Sequence, residues 1–429
     1  MNQPLKMNTV FDMTDIITDS FKTTLTIMRY IGLFYDEKQA KILKIWSLSL
    51  YLSVVLGTTL AFVGFLTQKT DDIMQINQMV VFLVSSAAIC VKVLLFLVNG
   101  SRMKKCIEYF GDHRFAPKTN EEKIIIDDCH RVCKRNFRIY GSILFVADIC
   151  WNILPFFEKK PRLPINIWLP YEITIKPAIF YTTYFYVVTV MIYFGVVTTM
   201  LEPLLGGLAY HATSQLKILK HNLSSLDKYR IPNDYDCFSG YGILSKALKQ
   251  CIVRHNNILE FIMEYENCFS WCTFCQIAGT TIGLGFCCIG LTMVSPTSVN
   301  AVMFVMSYVV ISFQLFFYCH YGTLLYEENE KLMSAIYMNS WYEYDVTVRK
   351  ILLIIMERSK SQITLTAGRV IELKYQTFIS LALSFIKFKV RVQQYLEGLF
   401  LHVMVIGTEC SDEKTNTIKV ERHKIVWPV

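Results

Sequence analysis

Charge is what this sequence has least of. Only 18% of its 429 residues are Asp, Glu, Lys or Arg, against roughly 25% in an ordinary soluble domain, while 53% are hydrophobic and the mean hydropathy is +0.35. Chain length alone would suggest two or three soluble domains. The missing charge excludes that reading, because a soluble surface of that extent would need far more of it. No secretory leader is expected either: Asp12, Asp15 and Asp19 stand where an uninterrupted apolar core would be required. The sequence shows no phosphate-binding glycine loop, no His-Glu-x-x-His, no Gly-x-Ser-x-Gly and no dinucleotide fingerprint, so no enzyme is expected. No basic patch accompanies the net charge of +8, and no nucleic-acid partner is expected. Nor do the 14 cysteines read as a disulfide framework, since many lie inside apolar runs. Cys272 and Cys275 have zinc-like spacing but sit in an uncharged run without a second ligand pair, so packing residues are the better reading and no metal or cofactor is expected.

What is present is a series of long apolar runs. A helix needs about 20 apolar residues to cross a hydrocarbon core about 30 Å thick. Six runs qualify: 45–66, 79–98, 139–157, 178–201, 268–293 and 299–318. Four of them carry no charge. The second contains Lys92 near its later end, where its side chain is expected to snorkel to the interface. The third contains Asp148, read as the one carboxylate well inside a span. A seventh candidate at 375–388 is short and holds Lys387; with its flank it is taken as 375–392.

Lys and Arg alternate across the intervening segments: 6 in 1–44, 1 in 67–78, 9 in 99–136, 4 in 158–177, 7 in 202–267, none in 294–298 and 7 in 321–374. Cytoplasmic loops carry the excess. The expected fold is therefore an all-α membrane protein of seven transmembrane helices, N-terminus cytoplasmic and C-terminus extracellular. Residues 1–44 form a cytoplasmic segment, 99–136 and 202–267 are cytoplasmic loops, 321–374 is a cytoplasmic anchor and 393–429 an atypical tail. The sequons at Asn99 and Asn222 then face the cytoplasm and stay unglycosylated. Helical patterning at 211–229 and 241–266, broken by Pro232 and Asn233, extends spans four and five as helices into the cytoplasm. Prolines 161, 164, 170 and 177, with Trp168 and Tyr171, read as a rigid aromatic cap on the outer face.

The candidate ligand pocket combines Phe82 and Ser86 of span two, Asp148 and Trp151 of span three, Tyr181, Tyr184, Phe185 and Val188 of span four, and Met303, Met306 and Ser307 of span six. Aromatic walls with a few hydroxyls suit small apolar ligands. An interfacial aromatic belt explains Tyr181 and Tyr184 equally well, and hydration near the outer end explains Asp148. Gly279 and Gly283 form a small-xxx-small pattern that favours close packing within the chain.

The stretch 318–378 carries a more specific signature. Tyr326-Glu327-Glu328-Asn329-Glu330-Lys331 is followed by Trp341-Tyr342, the block Arg349-Lys350-Ile351-Leu352-Leu353-Ile354-Ile355-Met356-Glu357-Arg358-Ser359, then Thr366-Ala367-Gly368-Arg369 and Thr377-Phe378. In this order it resembles the C-terminal signature of insect odorant receptors, in detail over about 60 residues and in architecture over the rest. The resemblance implies a ligand-tuning subunit of an odorant-gated, non-selective cation channel. It would bind a volatile small molecule and assemble as a heterotetramer with the odorant receptor coreceptor in the plasma membrane of a sensory dendrite. It also implies assembly roles for Trp341, Tyr342, Arg349, Leu353, Arg358 and Gly368, and a pore helix bearing Phe378, Leu381, Ser384 and Phe385. The match decays after Leu383 into Ser384-Phe-Ile-Lys-Phe-Lys-Val-Arg-Val392, which puts Lys387, Lys389 and Arg391 where an apolar gate is expected. Translated intron is one reading of the tail and a genuine extension the other. Rival classes are a gustatory receptor of the same superfamily, a G-protein-coupled receptor and a secondary transporter. The charge alternation and the absence of an Asp-Arg-Tyr motif oppose the second, and the absence of an internal repeat opposes the third.

Overall fold

The computed structural model describes residues 14–33, 40–67, 72–111, 113–157, 162–165, 167–168, 177–226, 237–295, 297–360 and 362–412. Tyr171, Pro232, Asn233 and residues 413–429 of the tail lie outside these.

The described chain is almost wholly helical. Helix α1 (Thr14–Ile31) ends at Gly32, whose φ of +82° lets Leu33 donate its N–H back to the Met28 carbonyl. Helix α2 (Ala40–Leu50) passes through a π-turn at Tyr51–Leu56 into α3 (Gly57–Leu66). Then come α4 (Ile73–Val98), α5 (Gly100–Glu108), α6 (Asn120–Ile153), α7 (Pro177–Ser224), α8 (Cys237–Met293), α9 (Val299–Tyr337), α10 (Val346–Ser359) and α11 (Tyr375–Asp412). Side-chain caps mark several starts. Asp72 accepts from the amides of Met74 and Gln75, Thr119 from Glu122, Ser298 from Ala301 and Asp345 from Thr347.

Five helical units among the described residues are long and apolar enough to cross a membrane: Ile45–Leu66, Ile73–Val98, Pro177–Ser224, Leu244–Met293 and Val299–Tyr337. At 1.5 Å per residue, α7 runs about 72 Å and α8 about 86 Å, two to three times a hydrocarbon core. Both therefore continue far beyond any bilayer, as the patterning at 211–229 and 241–266 predicts. The expected ends at 201 and 318 are changes of polarity and not of structure: α7 and α9 run through them without a break. Likewise α6 begins at Asn120, inside the segment read as a loop.

Helix α7 is the centre of the fold. From Val197 to Leu219 almost every side chain is buried, against α6 on one side and α9 on another, while α4 packs along α8. Close approach is secured where glycine is required: a Cβ at Gly206 would strike the Tyr321 ring at 2.6 Å. Gly279 faces Val84 and Ala88 of α4, so the small-residue pattern of α8 serves packing within the chain.

Two expectations about charge are corrected. Lys92 does not snorkel: its side chain is 2% exposed and pairs with Glu202 of α7, 1% exposed, which also accepts from the Tyr318 hydroxyl of α9. A lysine that deep is held by a counter-charge instead of by water. Asp148 is accordingly not the one carboxylate inside the apolar helices.

After α9 the chain turns through a 3-10 turn at Trp341–Glu343, then α10, then an antiparallel hairpin of β1 (Thr366–Ala367) and β2 (Ile371–Glu372). Its loop uses left-handed residues at Gly368 (φ +62°) and Arg369 (φ +60°). The hairpin docks on α8. Gly368 N–H donates to the Ser270 carbonyl at 2.9 Å, Ser270 Oγ to the Thr366 carbonyl at 2.9 Å, and Thr366 N–H to Glu266 at 2.7 Å. Helix α11 follows without a break across 392.

A candidate ligand cavity between the helices

One face of α4 presents Phe82, Ser85, Ser86 and Ile89; one face of α7 presents Val187, Val190, Met191, Phe194 and Thr198. Both series step by three and four residues, so each forms a single stripe. Together with α3, α6, α8, α9 and the segment at Ile165 and Ile167 they line a cavity of about 170 Å³. A dry cavity of about 150 Å³ lined by aliphatic and aromatic side chains is enough to hold benzene, so this one suits a single compact molecule.

Its polar groups are few. Ser85 and Ser86 donate to the carbonyls of Val81 and Leu83 at 2.8 and 2.9 Å, which spends their protons within α4 and leaves acceptor lone pairs. At one end Gln276 of α8 donates to Gln314 of α9 at 3.0 Å and to Thr280 at 3.2 Å. Among the described residues Asp148 is the one charged member of the lining, with no lysine, arginine or histidine beside it there. Gly195 makes room for it, since a Cβ at that position would collide with its carboxylate. Asp148 and Gly195 also border a second apolar depression of about 420 Å³ between α6 and α7, next to Val188.

One helical turn past Ile89, Thr198 and Gln314 come Val93, Glu202 and Tyr318. The buried group of Lys92, Glu202 and Tyr318 thus lies one turn beyond the polar end of the cavity and ties α4, α7 and α9 together there. The Lys92 ammonium also lies 3.4 Å from the Tyr318 hydroxyl.

The residues expected to form the pocket separate into groups. Phe82, Ser86 and Asp148 line the cavity. Trp151 and Met303 are buried one layer behind, in a cluster with the lining residues Phe62 and Met191; the Trp151 ring meets Phe82 edge-on at 4.7 Å. Tyr184 is buried and donates its hydroxyl to the Asn152 carbonyl. Val188 borders the second depression. Tyr181 and Phe185 are 63% and 73% exposed on the outward side of α7, away from the cavity. Met306 and Ser307 are half-buried and outside the lining. Lining residues that sequence reasoning missed include Thr58, Phe62, Ile165, Gln276 and Gln314. The two glutamines had a signal: an uncharged polar residue inside an otherwise apolar run wants a buried partner.

On α11, Phe385 is buried, Phe378 packs edge-on against Phe316 at 5.5 Å, Leu381 is half-buried and Ser384 is exposed. The opposite side presents Ile379, Leu383, Ile386 and Val390, each about half exposed. Among the residues around α10, Tyr342 and Leu353 are exposed, Trp341 and Arg349 are half-buried, and Arg358 donates to Asn256 of α8 at 2.9 Å.

The family model for the 7tm odorant receptor matches residues 72–385. The chain belongs to the insect odorant receptor family. Odorant receptor Or1 of Anopheles gambiae is 19% identical over 405 residues, covering 88% of this chain and 95% of that one. Odorant receptor 46a, isoform A, of Drosophila melanogaster is 23% identical over 290 residues, 67% of this chain and 74% of that one. The odorant receptor coreceptor of Harpegnathos saltator aligns over only 32% of this chain at 22% identity, so the likeness is to the receptors and not to the coreceptor. The fold matches olfactory receptor OR5 from Machilis hrabei, with a TM-score of 0.75 at 16% identity over 89% of this chain and all of that one. The same receptor in complex with eugenol matches with a TM-score of 0.77 at 16% identity over 90% of this chain and all of that one. This odorant receptor is thus a multi-pass membrane protein of a receptor family, which decides against the G-protein-coupled receptor and transporter readings.

Proposed function

We propose that this receptor is the ligand-tuning subunit of an odorant-gated, non-selective cation channel, assembled with the odorant receptor coreceptor in the plasma membrane of a sensory dendrite. The observation that carries this is the mostly apolar cavity of about 170 Å³ between the helices of an odorant receptor fold. A neighbouring structure solved with eugenol supports a small organic ligand in such a fold. Seven spans are proposed: the five apolar units, the later half of α6 and the first half of α11. The alternating Lys and Arg counts support a cytoplasmic N-terminus.

In this reading the exposed Tyr342, Leu353 and Ile354 belong to the subunit contacts of the anchor, and α11 lines the pore with the side bearing Ile379, Leu383, Ile386 and Val390 turned from its own chain. Ligand opens the channel by binding the open arrangement more tightly than the closed one. The experiment is to record odorant-evoked current from cells expressing this chain with the coreceptor, without it, and the coreceptor alone. Current specific to the pair supports the proposal. Equal current from the coreceptor alone would overturn it.

A further inference from the structure

Twelve cysteines, from Cys90 to Cys319, are free thiols, most of them buried, as packing residues would be. Three side chains away from the cavity do not fit a packing role alone. Cys129 and Cys133 stand four residues apart on α6, and His211 faces them from α7. One donor atom from each lies within 4.8 Å of the others, and the three side chains are buried. The Nε2 atom of His211 is buried without a hydrogen-bond partner, which is a cost that native interiors seldom leave unmet.

We propose that Cys129, Cys133 and His211 form a zinc site that clamps α6 to α7 in the cytoplasmic layer of the receptor. Ligands at i and i+4 on one helix point the same way and can grip one ion, and a nitrogen from a facing helix completes the cross-link. Zinc takes sulfur at about 2.3 Å and imidazole nitrogen at about 2.0 Å in a tetrahedron, so donors on one ion sit about 3.5 Å apart. Two thiolates and an imidazole are a borderline-soft set that suits zinc over magnesium or calcium. The centroid of the His130 ring lies 5.4 Å from that of His211.

The surroundings favour a closed structural site. Phe110 stacks on His211 at 5.5 Å and Phe21 packs at 5.6 Å, which keeps bulk water out. The ligand separation of 78 positions along the chain, from Cys133 to His211, hides the trio from any spacing motif.

The test is elemental analysis of the full-length receptor purified under reducing conditions. Close to one zinc per chain should survive dialysis. Cys129→Ser with Cys133→Ser, or His211→Ala, should lower this at least tenfold, while Cys272→Ser with Cys275→Ser should not. Cobalt added to zinc-stripped wild-type protein should give a thiolate-to-metal charge-transfer band that a further equivalent of zinc abolishes. Wild-type, monodisperse receptor with background zinc and no cobalt band would overturn the proposal, as would thiol counting that finds Cys129 and Cys133 joined in a disulfide. Should the variants fail to fold, the wild-type cobalt titration decides alone.

Discussion

Lys92 of α4 and Glu202 of α7 form an ion pair from which water is almost wholly excluded, and Tyr318 of α9 donates to the same carboxylate. Desolvating two charges is offset only if both are present with good hydrogen bonds, so the arrangement is sensitive to removal of one member. Lys92→Met or Glu202→Leu should each destabilise the receptor by about 3–5 kcal/mol. The double variant Lys92→Met with Glu202→Leu should recover most of that loss. Thermal unfolding of the four proteins in detergent measures this, and additive losses would refute the pairing.

The cavity gives a second expectation. Adding bulk from a lining residue, as in Val190→Phe, should raise the odorant concentration for half-maximal current at least tenfold, equivalent to about 1.4 kcal/mol of binding. Tyr181→Ala and Phe185→Ala, on the outward side of α7, should shift it less than threefold. Equal effects from the two classes would mean that ligand binds elsewhere.

The hairpin supplies a third. Gly368 has φ +62°, and a Cβ there would come within 2.8 Å of the Phe274 ring, so Gly368→Val should impair docking of the C-terminal segment on α8 and reduce surface expression. Arg369 is left-handed without being glycine, a strain of about 1–2 kcal/mol. Arg369→Gly should relieve part of it, although the bond from Arg369 to Asn267 is then lost. Melting temperatures should therefore differ clearly between the two variants.

The cap of α10 predicts a pH dependence. The amide of Thr347, donating to Asp345, holds that carboxyl below its ordinary value. A depressed carboxyl stabilises the fold above its unfolded-state value and loses that contribution as pH falls through the folded one. Amide exchange at the start of α10 should thus be faster in Asp345→Ala than in wild type at neutral pH, and the difference should vanish in strong acid. Asp345→Asn, which still accepts the bond, should keep its protection throughout.

The long apolar helices were legible because a charge-free run of about 20 residues matches the thickness of a hydrocarbon core and would be insoluble on a wetted surface. Their true lengths were less so. At Leu201 and Tyr318 hydropathy falls while the helix continues, because what changes there is the surroundings of the helix and not its backbone. The pocket was harder still. Tyr181 and Phe185 stand on a belt that faces outward, and an aromatic belt and an aromatic pocket wall look alike in one dimension. The lining stripe of α7 instead runs from Tyr186 and Val187 through Val190, Met191 and Phe194 to Thr198, a mixture of aromatic, aliphatic and hydroxyl side chains that only the helical step sets apart. The partner of Lys92 is 110 residues away, and its carboxylate looks like the start of a loop because it follows the last apolar residue of its run.

Helix α8 is a single rod of 57 residues, about 86 Å long, with Gln276, Gly279 and Thr280 in the cavity wall and the C-terminal hairpin fastened to Glu266 and Ser270. The cavity wall and the hairpin anchor are therefore joined by one continuous shaft. A tilt of about 5° swings one end relative to the other by about 7 Å, more than a full helical turn of travel. If an odorant in the proposed cavity tilts α8 by that angle, a small displacement at the cavity wall would become, at the far end of the helix, a movement large enough to repack an interface.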